Sequence, residues 1–254
     1  MGYAKSAKPN RRKKSQRLTR FLPIAKKDQV SQDPSGVKRL SRDCKATVKT
    51  GACSRGGNTR GEYKASDHDF GGTEPYIPCG ILDEDTAHLS VIFGNSAKTR
   101  DFLVATLTAW GHRLSVKEQR VLDRVQLKMD HGPESSGVRT PFLHRLVQRV
   151  DTIGKPLQLL YSPPYHSKYN PIERCWGILE LHWNGTQLRD ANTRLAWAHS
   201  MTGKGLKPIV ELSHKVYAKG VTLSKPARPA VEARLERNPL LPKWDILISP
   251  TRAT

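Results

Sequence analysis

The chain has 254 residues and a formal net charge of +20, because 43 lysines and arginines face 23 aspartates and glutamates. A balance this basic is typical of proteins that bind a polyanion, and nucleic acid is the usual one. The sequence has no run of about 18 apolar residues and no apolar signal core, so we predict a cytoplasmic protein with no membrane partner. The four cysteines form no C-x-x-C pair, which argues against a zinc knuckle or a disulfide framework.

The N-terminal part of the chain carries basic charge and little apolar content. Residues 1–35 include Arg11-Arg12-Lys13-Lys14 and predict a flexible basic arm suited to phosphate contacts. Residues 37–48 alternate in a way that predicts a first strand, and Asp43 lies inside it. Residues 50–75 are rich in glycine and charge and predict an insertion.

The central part alternates between strand and helix patterns. Runs of β-forming residues over 76–82 and 88–93 predict two more strands. Apolar residues at helical spacing over 96–110 predict a helix, and residues 115–124 predict a second, short one. Residues 125–129 predict a fourth strand, which ends at Asp130.

A helix and a strand follow before the most distinctive segment. Thr140-Pro141 opens a predicted helix that closes near Gly154, and residues 157–161 predict a fifth strand. Pro163-Pro164 then holds an extended backbone. At Asn170-Pro171 an N-cap residue followed by proline predicts the start of the next helix, with Glu173 in its first turn.

Glu173 admits two interpretations from this segment alone. The positive end of the helix dipole holds a carboxylate in one place, which suits a metal ligand. Asn170-Pro171-Ile172-Glu173 also fits a capping box, in which the glutamate only bonds back to the cap residue. The segment by itself leaves the two alternatives open.

Residues 186–254 are predicted to form a C-terminal helical extension. Apolar patterns of helical type run over 195–201, 209–217 and 225–237, and a β-like run covers 244–248. No motif in this part indicates chemistry. We expect it to cover the sheet or to touch DNA.

The element order predicts the fold class. The order β-β-β-α-β-α-β-α is that of an α/β, ribonuclease H-like mixed sheet, with three antiparallel strands and then parallel strands, flanked by helices. We assign residues 36–185 to this catalytic domain, with the insertion at about 50–75. Parallel strands present ligands at their carboxyl ends, where Asp130 stands.

Three acids from distant elements suit metal-dependent chemistry on phosphodiesters. Such chemistry needs carboxylates that converge on two ions, and Mg²⁺ prefers oxygen ligands. The candidates are Asp43 in the first strand, Asp130 at the end of the fourth and Glu173 in the last core helix. Any one of them alone is more often a surface residue. The three together favour a catalytic site with two Mg²⁺ ions, for which Mn²⁺ is the natural substitute.

The sequence resembles the Rhodopirellula-type DDE-domain insertion-sequence transposases from about residue 40 to 248. The resemblance is carried by Asp43 to Lys49, Ser54-Arg55-Gly56-Gly57, Asp67-His68-Asp69-Phe70, Met129 to Glu134, and Pro163 to Trp176 with His182-Trp183-Asn184-Gly185. It implies that Asp43, Asp130 and Glu173 bind the catalytic metal ions of a bacterial transposase. Such an enzyme cuts DNA at element ends and joins the 3′-hydroxyl to target DNA. The resemblance also implies a homo-oligomer on DNA and association with the nucleoid.

The chain departs from the family pattern in three places. The family usually has asparagine at the position of His131 and tryptophan at that of Gly203. Its members commonly begin with a helix-turn-helix segment, which the basic arm does not supply. The alternative hypothesis is therefore a truncated, catalytically inactive remnant that acts at most as a basic DNA-binding protein. A structure-selective nuclease of the same fold is a third hypothesis.

Several residues near the predicted site have no settled role from sequence. The candidates for DNA phosphate contacts are Arg55, His166, Lys168 and Arg174, although a solvated charged face explains such a group equally well. The cluster Asp67-His68-Asp69 has no assigned role. A buried helical stripe is predicted from the spacing of Ile172, Trp176, Leu179 and Trp183.

Overall fold

The computed structural model describes residues 36–49, 75–162, 170–218 and 227–251. The strands within these ranges are β1 (Val37–Cys44), β2 (Val48–Lys49), β3 (Pro75–Asp83), β4 (Leu89–Gly94), β5 (Arg124–Met129), β6 (Leu157–Tyr161), β7 (Ile209–Ser213), β8 (Leu235–Arg237) and β9 (Asp245–Ile248). The helices are α1 (Arg100–His112), α2 (Val116–Val121), α3 (Thr140–Ile153), α4 (Glu173–His182), α5 (Ala191–Ser200) and α6 (Ala227–Glu232). The predicted arm over 1–35 and nearly all of the predicted insertion over 50–75 lie outside the described residues.

Within the described ranges, one mixed sheet has the strand order β7-β4-β3-β1-β5-β6-β9-β8, and β2 pairs with β3. Strand β3 is antiparallel to both β1 and β4. Strand β5 is parallel to both β1 and β6. The predicted fold class, with three antiparallel strands, then parallel strands, and flanking helices, is confirmed.

Local sequence signals set the helix boundaries. Helix α1 begins at Arg100, four residues later than predicted. The side chain of Thr99 caps it by accepting a hydrogen bond from the Phe102 amide at 3.3 Å. Helix α2 opens with a capping box between Ser115 and Glu118. Helix α3 ends at Gly154, which adopts a left-handed φ of 63°. None of the helices in the described ranges is long and apolar enough to cross a membrane.

Helices cover both faces of the sheet. Helices α1 and α3 pack on one face, against core residues such as Leu40 and Leu127. Helices α4 and α5 pack on the other face, and the predicted stripe on α4 is confirmed as buried: Ile172, Trp176, Leu179 and Trp183. Because side chains alternate along a strand, Leu40 and Asp43 lie on opposite faces, and Asp43 faces α4.

Strand β1 is shorter than predicted. The run over 37–48 breaks after Cys44, and the chain resumes a strand only in the two residues of β2. In the antiparallel ladder of β1 and β3, Cys44 lies opposite Cys79, so the next pair of residues, or rung, would be Lys45 and Pro78. Proline has no N–H, and the rung reduces to one bond from the Lys45 amide to the Pro78 carbonyl at 2.9 Å. The antiparallel ladder ends there.

Residues 186–254 differ most from the prediction of a helical extension. The segment 209–217, predicted to be helical, contains β7, which runs parallel to β4. Helix α6 is short and is followed by β8, while the β-like run over 244–248 is confirmed as β9, paired with β6. Apolar spacing over five residues does not distinguish a short strand from a helix, which is why the prediction failed. This segment extends the sheet at both edges.

Candidate acidic active site

Asp43 projects from β1 toward α4, where a tryptophan holds it. Its Oδ2 accepts a hydrogen bond from the Trp176 indole Nε1–H at 3.0 Å. Across the sheet Asp43 pairs with Gly80 of β3. A Cβ at Gly80 would lie 2.7 Å from Cη2 of Trp176 and 2.8 Å from Cδ1 of Ile172. The bare glycine therefore lets α4 approach closely enough for Trp176 to reach the carboxylate.

Asn170 fixes the start of α4 by bonding to β1. Its buried side chain donates from Nδ2 to the Arg42 carbonyl at 3.1 Å and accepts from Ser41 Oγ. Ser41 Oγ also accepts a hydrogen bond from the Ile172 amide at 2.9 Å. Among the residues that the structure describes, no side chain caps α4. The predicted N-cap role of Asn170 and the alternative capping box are both wrong, because the Asn170 side chain is committed to the strand.

Glu173 lies half-buried in the first turn of α4. Burial raises the pKa of its carboxyl group, and the negative charges of Asp43 and Asp130 raise it further, against a lowering by Lys45. Lys45 Nζ forms an ion pair with Glu180 Oε1 at 2.6 Å, two turns along the same helix. The mutual influence of the three acids places them in one electrostatic environment, as expected for carboxylates that share a site.

Asp130 follows β5 directly and is partly buried. Burial raises the pKa of Asp130, and Asp43 raises it further, while Ser162, Asn170 and Lys98 lower it. Within the described residues its Oδ1 is buried and has no hydrogen-bond partner. A buried carboxylate oxygen without a donor or cation costs free energy. A cation next to Oδ1 would therefore stabilise the ionised form of Asp130.

His131 turns away from the acids. Its Nε2 lies 2.9 Å from Ser136 Oγ, and its ring packs against those of Tyr161 and Trp244, with centroids 5.3 and 4.7 Å apart. Burial lowers its pKa. Trp244 immediately precedes β9. The ring thus ties the loop after Asp130 to the C-terminal part of the sheet.

The oxygen-only donor set fits divalent metal ions. A cation between the acids would lower the pKa of Asp130 and Glu173 and would satisfy the unpaired Oδ1 of Asp130. In the described ranges, no three His, Cys, Asp or Glu side chains are close enough to enclose a single ion. A two-ion site does not require that, because Mg²⁺ takes one or two carboxylates and completes its shell with water and phosphate oxygens.

Arg174 is the one candidate DNA contact that lies within the described residues. It is exposed beside Glu173 and lines a cavity of about 280 Å³ together with Lys204. Lys204 lies in a tight turn closed by two hydrogen bonds between Gly203 and Leu206, of 2.9 and 3.0 Å. Two cations therefore line one cavity on the flank of α4. The remaining candidates and the acidic cluster lie outside the described residues: Arg55, His166, Lys168 and Asp67-His68-Asp69.

Two contacts that position the acids or the helix that carries one of them were not predicted from the sequence. Trp176 was predicted as part of a buried stripe, yet the N–H of a buried indole needs an acceptor. Its position three residues after Glu173 places both side chains on neighbouring parts of one helix surface, which was the available signal. The Ser41–Asn170 pair spans 129 residues and carries no sequence signal.

The sequence matches the family model described as Rhodopirellula transposase DDE domain over residues 1–250. No curated protein matches it. Among solved structures, the chain is similar to "Mos1 transposase paired-end complex with left transposon end", with a TM-score of 0.50 and 9% identity over 78% of this chain and 56% of that chain. It is also similar to the Mos1 mariner paired end complex with Mn, with a TM-score of 0.48 and 10% identity, at the same coverage.

These structural likenesses concern the fold. At 9% identity, the first one supports the ribonuclease H-like class and no more. The chain spans 56% of the length of the solved chains that it matches. Family and fold are therefore established at the level of the domain.

Proposed function

The chain belongs to the Rhodopirellula transposase DDE domain family, and from that premise we propose that it is the catalytic part of a DNA transposase of a bacterial insertion sequence. Its substrates would be the DNA ends of the element and a target DNA. The observation that carries the proposal is the group of three mutually repelling carboxylates on β1, after β5 and on α4. We expect the protein to act in the cytoplasm, on nucleoid DNA.

The proposed reaction has two in-line steps at phosphorus. Water attacks a phosphodiester at the element end, the bond from phosphorus to the 3′-oxygen breaks, and the departing oxygen takes a proton. The products are a 3′-hydroxyl on the element and a 5′-phosphate on the flanking DNA. The 3′-hydroxyl then attacks a phosphodiester of the target, forms a new phosphorus–oxygen bond and releases a target 3′-hydroxyl.

Asp43, Asp130 and Glu173 are proposed to be the catalytic residues and to hold two Mg²⁺ ions, for which Mn²⁺ would substitute. When bound, the ions activate the attacking oxygen and stabilise the leaving oxygen. Asp130 Oδ1, which has no partner among the described residues, and the raised pKa of Glu173 favour occupancy by cations. In this proposal Trp176 orients the Asp43 carboxylate, and Asn170 positions the helix that carries Glu173.

The basic charge of the chain provides the affinity for DNA. A net charge of +20 supports phosphate contacts that do not depend on sequence. Arg174, which is exposed next to Glu173, is the candidate within the described residues that is proposed to hold the strand near the scissile phosphate. Arg55, His166 and Lys168 remain proposed contacts. Because two ends of one element must be brought together, a homo-oligomer on DNA is part of the proposal.

Strand cleavage by matched variants tests this function. The substrate is a DNA fragment that contains the coding region with its native flanking sequence, supplied with Mg²⁺ or Mn²⁺. Asp43→Asn, Asp130→Asn and Glu173→Gln should each reduce cleavage by about 100-fold or more while DNA binding persists. Glu236→Gln, which neutralises an exposed carboxylate on β8, should cleave like the wild type.

Three other results would contradict the proposal. DNA binding without cleavage by the wild-type chain would favour the inactive remnant. Cleavage without any joining of the 3′-hydroxyl to target DNA would favour a structure-selective nuclease. Full activity of Glu173→Gln would remove Glu173 from the catalytic group.

A further inference from the structure

A second cavity, of about 250 Å³, lies beneath α1, α2 and α3. Val125 and Leu157 form part of its lining, and they stand at the N-terminal ends of β5 and β6. Asp130, just after the end of β5, lies about 17 Å from Val125 at the usual rise per residue of a strand. Helix α4 also packs on the opposite face of the sheet. The cavity is therefore separate from the acidic site.

Arg149 reaches this cavity from α3 and has no partner among the described residues. It is 9% exposed. Its guanidinium lies against the backbone of α1, since a Cβ at Gly111 would be 2.7 Å from its Nη2. Burial lowers the pKa of Arg149, and no neighbouring acid in the described part of the chain opposes that effect. Arginine is almost never buried without a paired anion, so this one lacks its expected counter-charge.

The rest of the lining combines apolar surface with further cations. Trp110, Leu122 and Leu157 provide apolar walls, while His112 and Lys155 add basic side chains. In the described part of the chain, no carboxylate lines the cavity. The C-terminal ends of α1 and α3 each contribute about half a negative charge nearby. The two full charges of Arg149 and Lys155 exceed that contribution, so the cavity favours an anion.

We propose that this cavity binds a small organic anion, with a carboxylate or phosphate group attached to an apolar body about the size of one aromatic ring. The anionic group pairs with the guanidinium of Arg149, and Lys155 assists from the rim. The ring packs against Trp110. An inorganic ion would leave the apolar walls unused, and a neutral ring would leave Arg149 unpaired. The site is independent of the proposed DNA chemistry.

Titration of the full-length, isotope-labelled chain tests this site. The probes are benzoate, phenyl phosphate, inorganic phosphate and neutral benzyl alcohol. The readouts are the indole N–H resonance of Trp110, assigned from a Trp110→Phe sample, and the melting temperature. Arg149→Met removes the charge and keeps an unbranched, apolar side chain. Arg145→Met is the matched control, because Arg145 lies one turn earlier on α3 and pairs with Asp101 at 2.6 Å.

We expect benzoate, phenyl phosphate or both to shift the Trp110 resonance and raise the melting temperature of the wild type and of Arg145→Met. Which of the two binds more tightly identifies the preferred anionic group. Binding to Arg149→Met should be about tenfold weaker or more. That variant should itself melt no lower than the wild type, because methionine replaces an unpaired buried charge.

Three results would overturn the proposal. The first is that neither aromatic anion shifts the Trp110 resonance. The second is that Arg149→Met binds them as the wild type does. The third is that benzyl alcohol or inorganic phosphate produces the same shift as the aromatic anions. The first and third comparisons use the wild type alone, so they hold even if Arg149→Met fails to fold.

Discussion

At the scale of single residues, the Asp43 carboxylate is held by one neutral donor, the Trp176 indole. Trp176→Phe removes that donor and keeps most of the buried ring volume. Because a lost partner leaves the acid free to rotate, we expect DNA cleavage to fall by about 10- to 100-fold, with little loss of DNA binding. Trp197→Phe on α5 is the control and should cleave normally. Equal cleavage by both variants would show that the indole contact has no part in the reaction.

The pKa values of Asp130 and Glu173 predict how stability depends on pH. Both are raised in the folded chain. The folded state therefore binds more protons than the unfolded state in the pH range just above the ordinary carboxyl pKa values of about 4. Stability from these two groups is present below that range and is lost as pH rises through the raised values. As the pH rises through the raised values, both acids become charged and repel each other and Asp43.

Melting experiments without metal check this dependence. Glu173→Gln should raise the melting temperature at pH 7 by on the order of 2 °C and have less effect at pH 4. Added Mg²⁺ should raise the melting temperature of the wild type at pH 7 and much less at pH 4, since the ligands must be deprotonated. A Glu173→Gln chain that melts lower at pH 7 would contradict the electrostatic account.

At the scale of elements, the docking of α4 on β1 and β3 brings Glu173 to Asp43. The buried stripe of this helix was predictable from apolar spacing, and its start was predictable to within two residues from asparagine and proline. The use of Asn170 was not, because its bonds to Ser41 and Arg42 depend on tertiary packing. Local sequence identifies residues suited to a cap or a turn, but it does not reveal which strand will compete for the same side chain.

Asn170→Ala tests this docking. It removes two buried hydrogen bonds and should lower the free energy of unfolding by about 1–3 kcal/mol. Because Glu173 follows within one turn, cleavage should fall even below the melting transition. Asn184→Ala, at an exposed position just past the end of α4, is the control and should change neither quantity. Chemical denaturation and the cleavage assay measure both effects.

Two glycines near α4 form a contrasting pair. Gly80→Ala inserts a methyl group 2.7 Å from Trp176 and should destabilise the fold by about 1–3 kcal/mol through overpacking. Gly177→Ala, on the exposed side of α4, meets no atom within 4 Å and should stabilise it by about 0.5–1 kcal/mol. Chemical denaturation of both variants checks the signs. A neutral effect of Gly80→Ala would mean that α4 lies further from the sheet.

At the scale of the whole molecule, the C-terminal segment belongs to the same sheet as the acids. Strand β9 pairs with β6, and Ile246 is fully buried. Ile246→Ala should therefore lower the free energy of unfolding by about 2–5 kcal/mol in a single cooperative transition. Leu240→Ala, at a position 81% exposed, is the matched control and should have little effect. A separate second transition would indicate that the C-terminal segment folds independently.

Much of the central sheet was predictable, because strands 76–82, 88–93 and 157–161 have strong β composition and clear turns between them. The C-terminal strands were not, because β7 is short and its pairing with β4 bridges more than 100 residues of sequence. The places of the three candidate acids in the fold were predictable, because Asp43 lies in a recognisable strand, Asp130 follows one and Glu173 stands in the first turn of a recognisable helix; their catalytic role stays a prediction. The local environment of these acids depends on three-dimensional packing and was not predictable. Trp176 donates to Asp43, and Asp130 Oδ1 has no hydrogen-bond partner among the described residues.

The central claim is that Asp43, Asp130 and Glu173 jointly hold divalent ions. The most direct measurement is anomalous diffraction at the manganese edge, from crystals of the full chain grown with Mn²⁺ and an element-end DNA. The account predicts two peaks between these three carboxylates, and the loss of at least one peak in Glu173→Gln crystals. Peaks elsewhere, or the same two peaks without the Glu173 carboxylate, would contradict it.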